Sequence, residues 1–373
     1  MDRRTFLSGA SIAAATVATA CGGQDSQTSG PAAPAVNRRR TRQLRMVTTW
    51  PANFPGLGTA ADRVAQFCNE MSGGTLDIRV YGAGEIVGAF EVFDAVSTGA
   101  ADMYHAAEYY WQGKHPGFNF FTAVPMGMTA TEIMAWCEFG GGQELWEELA
   151  GQFGIISFQA GNSGLQMGGW FKREINTLDD FRGLRMRIPG LGGTVLRELG
   201  GAAVALSGSE IYPALQSGTI DATEWVGPWN DLAFGFYREA PYYYGPGFHE
   251  PGSALGVGIN RGVWDSLESD HQAILRAACR AANNQSIAEF AHQNAVALRV
   301  LVEDHGVELR QFSDEMWTRI GEISEQVVAD VGNHDQLGRR IYESYMEGRR
   351  RGREWGRISE PPYFMQRERV LGR

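Results

Sequence analysis

Ser209-Glu-Ile-Tyr-Pro-Ala-Leu-Gln-Ser-Gly218-Thr-Ile-Asp221-Ala-Thr-Glu224-Trp225-Val-Gly227-Pro228-Trp229 decides how this chain reads. The first half predicts a short helix, with Ser209 as its N-cap and Gly218 just past its end. Residues 219–226 alternate and carry β-branched side chains, which predicts a strand. That strand ends on Glu224-Trp225, an acid beside an indole, and Gly227-Pro228 closes it. An acid at the mouth of a strand, backed by an aromatic wall, suits a small polar ligand. A merely solvated strand-end acid is the plainer alternative.

A second copy of the pattern favours the ligand. Ala95-Val-Ser-Thr-Gly99-Ala-Ala-Asp102-Met103 parallels Ala214-Leu-Gln-Ser-Gly218-Thr-Ile-Asp221-Ala222. Both read as helix, glycine stop, aspartate, strand. The upstream strand also runs into aromatics, at Tyr104 and then Tyr109-Tyr110-Trp111. A unit repeated at this distance predicts two similar α/β lobes that meet at a cleft.

Composition agrees with such a fold. The chain has 373 residues, 43% hydrophobic and 20% charged, enough for two globular domains. Its net charge of −10 argues against a nucleic-acid partner. At the amino terminus, Arg3-Arg4-Thr5-Phe6-Leu7 is a twin-arginine export pattern, followed by an Ala-rich run too short to span a bilayer. Residues 1–20 read as the signal. Ala18-Thr19-Ala20-Cys21 resembles a lipoprotein processing box, with Cys21 as the lipidated residue, so a periplasmic and possible lipid-anchored location is expected. Residues 21–43, Ser/Gly/Pro-rich and then basic, read as a tether. Cys68, Cys137 and Cys279 have neither disulfide nor metal-ligand spacing and are expected in the core.

Enzyme signatures are poorly matched. Gly82-Ala-Gly84 follows a predicted strand, but it is the second strand, and the third glycine of a dinucleotide loop is displaced. Ser163 lacks a nucleophile-elbow context, and the histidines lack zincin spacing. His249 adjoins a carboxylate, Glu250, and reads as an ordinary loop histidine. The informative middle is Gly161-Asn162-Ser-Gly-Leu-Gln166-Met-Gly-Gly-Trp-Phe171, whose Asn162 and Gln166 amides suit a cation or an oxyanion. Residues 184–188 predict a strand that places Arg185 and Arg187 on one face, so that one could enter the cleft. A buried guanidinium there would be a bidentate carboxylate partner. After residue 265 the pattern is helical, over 269–303, 313–331 and 337–355, and the last of these could pack on a partner subunit.

The stretches 161–177 and 211–228 resemble the solute-binding proteins of tripartite ATP-independent periplasmic (TRAP) transporters, the DctP family, in the subgroup that binds 2-oxo acids or lactate-like monocarboxylates. The resemblance covers nearly everything from Leu44 onward. It implies the two-lobe periplasmic solute-binding protein fold, α/β, with hinge-linked domains and long C-terminal helices. Lobe I would take residues 44–162 and 251–290, lobe II 163–250 and 291–336, and 337–373 would form a terminal helix and tail. It also implies that Arg187 binds the substrate carboxylate, and that Gln166, Glu224 and the Trp225 carbonyl hold a sodium or calcium ion touching the substrate. Asn162, Tyr109, Tyr110 and Glu250 would line the cleft. Membrane subunits of the transporter are the implied partners, and relatives include dimers. The alternative from another class is an isomerase or oxidoreductase on the same scaffold, which would need an acid–base residue at the reacting carbon or a cofactor.

Overall fold

The computed structural model describes residues 40–372. The export pattern and the Cys21 box therefore lie outside the described residues. In chain order the strands are β1 (Arg42–Thr48), β2 (Leu76–Tyr81), β3 (Met103–Ala106), β4 (Ile155–Asn162), β5 (Gly169–Phe171), β6 (Arg185–Arg187), β7 (Ala202–Val204), β8 (Ala222–Thr223), β9 (Tyr242–Tyr244), β10 (Ala254–Asn260) and β11 (Glu308–Arg310). The helices are α1 (Leu57–Met71), α2 (Val92–Ser97), α3 (Ala130–Phe139), α4 (Gly142–Gly151), α5 (Gly190–Glu198), α6 (Gly208–Gln216), α7 (Pro228–Phe234), α8 (Arg261–Asp265), α9 (Ser269–Glu303), α10 (Asp314–Val331), α11 (Gln336–Gly356) and α12 (Glu360–Leu371).

Two sheets form, in the orders β2-β1-β3-β10-β4 and β11-β9-β5-β8-β6-β7. They share one plan. In each, a central strand pairs in parallel with two neighbours, β1 with β2 and β3, and β6 with β7 and β8. A strand entering from the other half of the chain then adds antiparallel, β10 onto β3 and β5 onto β8. These entering strands tie the lobes together at their base. The long helix α9 does the same along one side, packing on β4 and α1 of the first lobe and on α7 of the second.

The repeated motif is real, and its aspartates explain it. Asp102 accepts from Arg45 N at 2.7 Å and returns its own amide to Arg45 O at 3.1 Å. Asp221 accepts from Arg185 N at 3.2 Å and returns its amide to Arg185 O at 2.7 Å. In both units the aspartate ties the strand it precedes to the neighbouring parallel strand. Gly99 and Gly218, at φ 80° and 73°, supply the left-handed helix exits.

Two local expectations need correction. The N-cap of α6 is Ser207, not Ser209, because Glu210 reaches back to the Ser207 amide at 2.9 Å in a capping box. The strand expected over 219–226 is confined to Ala222–Thr223, since residues beyond it leave the ladder to build the cleft wall. The helix expected over 337–355 forms as α11. It buries Leu337, Ile341 and Tyr345 in its own chain, and the Tyr345 hydroxyl accepts from Met128 N at 2.8 Å. Cys68, Cys137 and Cys279 are free and buried, as the sequence implied. Burial pushes the Cys68 thiol up to about 12.

Candidate functional site

Arg187 ends β6, and its side chain enters the space between the lobes. It is 1% exposed, while the Arg185 side chain is 47% exposed and pairs with Asp221 at the rim. The guanidinium bonds Glu224 Oε1 through Nη1, and reaches the Glu224 carbonyl (3.2 Å), the Leu206 carbonyl (3.2 Å) and Tyr110 Oη (3.4 Å). It also lies over the Trp225 ring at 5.0 Å. Burial works against its charge, but Glu224 and then Tyr110, Tyr109 and Glu250 more than offset that and raise its pKa.

Glu224 follows β8 and is fully buried. Its second oxygen, Oε2, lies 3.2 Å from His249 Nε2. His249 and Glu250 come from the loop after β9, and Glu224, His249 and Glu250 each offer a ligand atom within 4.8 Å of the others. Burial opposes protonation of His249, yet the bond to Glu224 raises its pKa. Glu250 is pushed up to about 7 by burial and by Glu224, against the pull of His249 and Ser253. Sequence reasoning set His249 aside; its one signal was the adjacent carboxylate.

Gln166 is held between these elements by main-chain bonds. Its amide donates to Glu250 O at 3.1 Å, and the next amide, Met167 N, donates to Val226 O at 3.0 Å. Its Nε2 donates to Ser163 Oγ, which leaves Oε1 buried with no hydrogen-bond partner. Glu250 Oε2 is likewise buried and unpartnered. At Asn162 the assignment reverses. Oδ1 accepts from Gly164 N at 2.7 Å, and it is the donor Nδ2 that is left unpartnered. Orphaned hard oxygens beside a buried carboxylate fit an oxygen-loving cation, and an orphaned N–H fits an oxyanion.

Tyr109 and Tyr110 approach from the first lobe, with ring centroids 4.8 Å apart. Burial raises both hydroxyls, so they stay neutral donors. Trp50, unremarked in the sequence, packs against Tyr110 and Trp225 at 6.4 and 6.3 Å and completes the aromatic wall. Of the predicted residues, Arg187, Glu224, Trp225 and Tyr110 meet directly. Glu250 has a ligand atom within 4.8 Å of one of Glu224, Gln166 bonds the Glu250 carbonyl through its amide, and Tyr109 packs on Tyr110. Asn162 makes no contact with Arg187 among the described hydrogen bonds; it is tied to Ser286 of α9 instead.

Two lobes on crossing strands, closed over a buried arginine and a set of oxygen donors, define a small-solute receptor of the extracytoplasmic kind. The chain belongs to the family described as bacterial extracellular solute-binding protein, family 7, whose model matches residues 46–335. A monocarboxylate 2-oxoacid-binding periplasmic protein from Nostoc sp. (strain PCC 7120) is 38% identical over 366 residues, 97% of this chain and 98% of that one. A TRAP periplasmic solute-binding protein from Pseudoalteromonas atlantica, solved with bound sodium and pyruvate, is 40% identical with TM-score 0.85, covering 87% of this chain and 99% of that one. A counterpart from Colwellia psychrerythraea, solved with calcium and pyruvate, is 39% identical with TM-score 0.85 over 88% of this chain and 100% of that one.

Proposed function

We propose that this chain is the receptor subunit of a TRAP transporter. It captures a small monocarboxylate, a 2-oxo acid such as pyruvate or else lactate, together with a sodium or calcium ion, and delivers it to the membrane permease. The observation that carries this reading is the buried Arg187–Glu224 pair flanked by the orphaned oxygens of Gln166 and Glu250. Arg187 is the carboxylate partner; Tyr109, Tyr110 and the Asn162 amide add neutral donors, and Glu250 lines the cleft. Gln166, Glu224 and the Trp225 carbonyl hold the cation. When bound, the cation offsets the Glu224 charge and accepts the carboxylate and the adjacent oxygen of the solute as a chelate. Without it, Glu224 and Glu250 would repel an incoming anion, so solute and cation bind together. The lobes, residues 44–162 with 251–290 and 163–250 with 291–336, close as bodies around the crossing strands. Calorimetry of pyruvate binding with and without a chelator tests the reading, and cation-independent binding would sink it.

The enzyme alternative gains no support from the site. Recovery of the solute unchanged after incubation and release separates receptor from isomerase or oxidoreductase. We further infer export by the twin-arginine route and anchoring at Cys21. Arg3→Lys with Arg4→Lys should block export, and Cys21→Ala should free the mature chain from membranes after a high-salt wash. A homodimer is supported by α12, which follows α11 and leaves Tyr363, Phe364, Met365 and Leu371 exposed. A helix this short with no buried residue is marginal by itself in water. Light scattering of the intact chain and of one cut after Arg357 tests this, with a monomer in both cases ending the idea.

A further inference from the structure

Asp231 stands behind the proposed cation site rather than in it. It lies in the first turn of α7 and is 1% exposed. Its carboxylate accepts from Tyr243 Oη at 2.7 Å, from Trp170 Nε1 at 2.9 Å and from Val226 N at 3.2 Å. Trp170 and Tyr243 come from neighbouring strands, β5 and β9, and their rings stack at 3.9 Å. Those two donors therefore fix the carboxylate to the sheet. The third bond passes that rigidity to the loop that carries Glu224 and Trp225.

The Val226 N–H and the Trp225 carbonyl belong to one planar peptide unit, and in a trans peptide they point in opposite directions. An acceptor fixed on the N–H therefore decides which way the carbonyl faces. It also draws electron density toward the carbonyl oxygen, because hydrogen bonds through a peptide polarise one another. The other bonds to this loop act on different peptide units: Glu224 N donates to Arg187 O at 3.1 Å, and Met167 N donates to Val226 O at 3.0 Å.

We propose that Asp231 is a positioning residue for the cation, aiming and polarising the Trp225 carbonyl through the Val226 N–H. This rests on the reading of the Trp225 carbonyl as a cation ligand. Carboxylates one step behind a ligand shell commonly tune metal affinity about 10–100-fold. The competing role is structural only: Asp231 would then serve to satisfy Trp170 and Tyr243 in the core.

Two substitutions separate these roles. Asp231→Asn keeps the shape but loses the charge and the capacity to accept all three donors. Tyr243→Phe removes one donor and leaves the Val226 bond in place. Pyruvate is titrated by calorimetry over graded sodium or calcium after chelator treatment. In Asp231→Asn the cation concentration for half-maximal pyruvate binding should rise about 10–100-fold, with wild-type pyruvate affinity returning at saturating cation. Tyr243→Phe, with Trp170 still holding the carboxylate, should lower the melting temperature and raise the cation requirement far less than Asp231→Asn does. Equal shifts in both variants, or a lower melting temperature in Asp231→Asn with an unchanged cation requirement, would overturn the proposal. If Asp231→Asn does not fold, replacing Val226 by its hydroxy-acid analogue removes only the N–H and must give the same shift. Cation-independent binding by the wild type would instead overturn the cation reading itself.

Discussion

The two sheets carry the same supersecondary unit and put opposite chemistry on it. In both, an aspartate locks adjacent parallel strands through an arginine, Asp102 to Arg45 and Asp221 to Arg185. Two residues beyond each arginine the units part: Val47 in the first lobe, Arg187 in the second. Three residues beyond each aspartate stand His105 and Glu224. His105 is buried, accepts from Trp50 Nε1 at 2.8 Å, and is pushed down to about 4 by burial, so it stays neutral. Glu224 takes the Arg187 guanidinium. The first lobe does bury an acid of its own, Glu108, but its partner is the Tyr104 hydroxyl at 3.0 Å, and burial pushes it up to about 8. One lobe thus supplies a neutral aromatic wall and the other the charges. The scaffold residues set the fold, and the residues two or three places along set the charge each lobe presents.

Removing the charge that distinguishes the second lobe should have the largest effect. Arg187→Ala leaves Glu224 and the solute carboxylate without their partner in a closed cleft, costing about 2–5 kcal/mol of binding, or roughly 30- to 4,000-fold. Arg187→Lys should recover only part, since an ammonium cannot make two parallel bonds. Arg185→Ala is the matched control and should leave calorimetric affinity unchanged. If Arg187→Ala binds like the wild type, the second lobe is not the charged one in function.

Glu224→Gln comes next. It keeps the shape but removes the charge that balances the cation, so the cation requirement should rise by more than the about 10–100-fold expected for a residue one step behind a ligand. Its defect should shrink at high cation concentration, whereas that of Arg187→Ala should not. A Glu224→Gln defect indifferent to the cation would show that the acid only supports the arginine.

The neutral acid of the first lobe predicts a pH dependence. Folded Glu108 titrates near 8 and an ordinary glutamate near 4.5, so between those values the folded chain holds more protons than the unfolded one. Stability is therefore fully present at low pH and falls as pH rises through that window. Glu250 and Asp231, both raised to about 7, act in the same sense. Thermal unfolding without ligand should show a shallower decline from pH 5 to 8 in Glu108→Gln than in the wild type. A slope of the same size in both would mean that Glu108 is ionised in the fold.

The smallest effects belong to what the lobes share. Asp102→Asn and Asp221→Asn weaken partly exposed pairs, and each should lower the melting temperature by no more than about 2 °C. Similar drops in the two variants would support the equivalence of the units. A large drop in only one would mean that the strands are not held alike.

The sequence carried the scaffold well because its signals are local. A helix exit needs a residue that tolerates positive φ, and Gly99 and Gly218 say so wherever the chain goes. Ser207 and Glu210 also form a local signal, since their spacing is that of a capping box. The resemblance over 161–177 and 211–228 brought in Arg187, Gln166 and Glu224, which sequence spacing by itself left among alternatives. Arg185 and Arg187 look alike on paper: same strand, same face, same charge. His249 and Asp231 were less visible still, since what they do depends on partners at Glu224, Trp170 and Tyr243.

What the amino-acid sequence determined by itself, then, is the repeated α/β unit, the acidic globular character and the helical carboxyl end. Propensity, capping and alternation act between near neighbours and need no knowledge of the rest of the chain. The tertiary structure alone decided which arginine is buried, which amide offers its oxygen and which its N–H, and that a histidine from a distant loop faces Glu224. Charge and hydrogen-bond capacity are properties of surroundings, and those surroundings exist only once strands from both halves of the chain have crossed and the lobes have met.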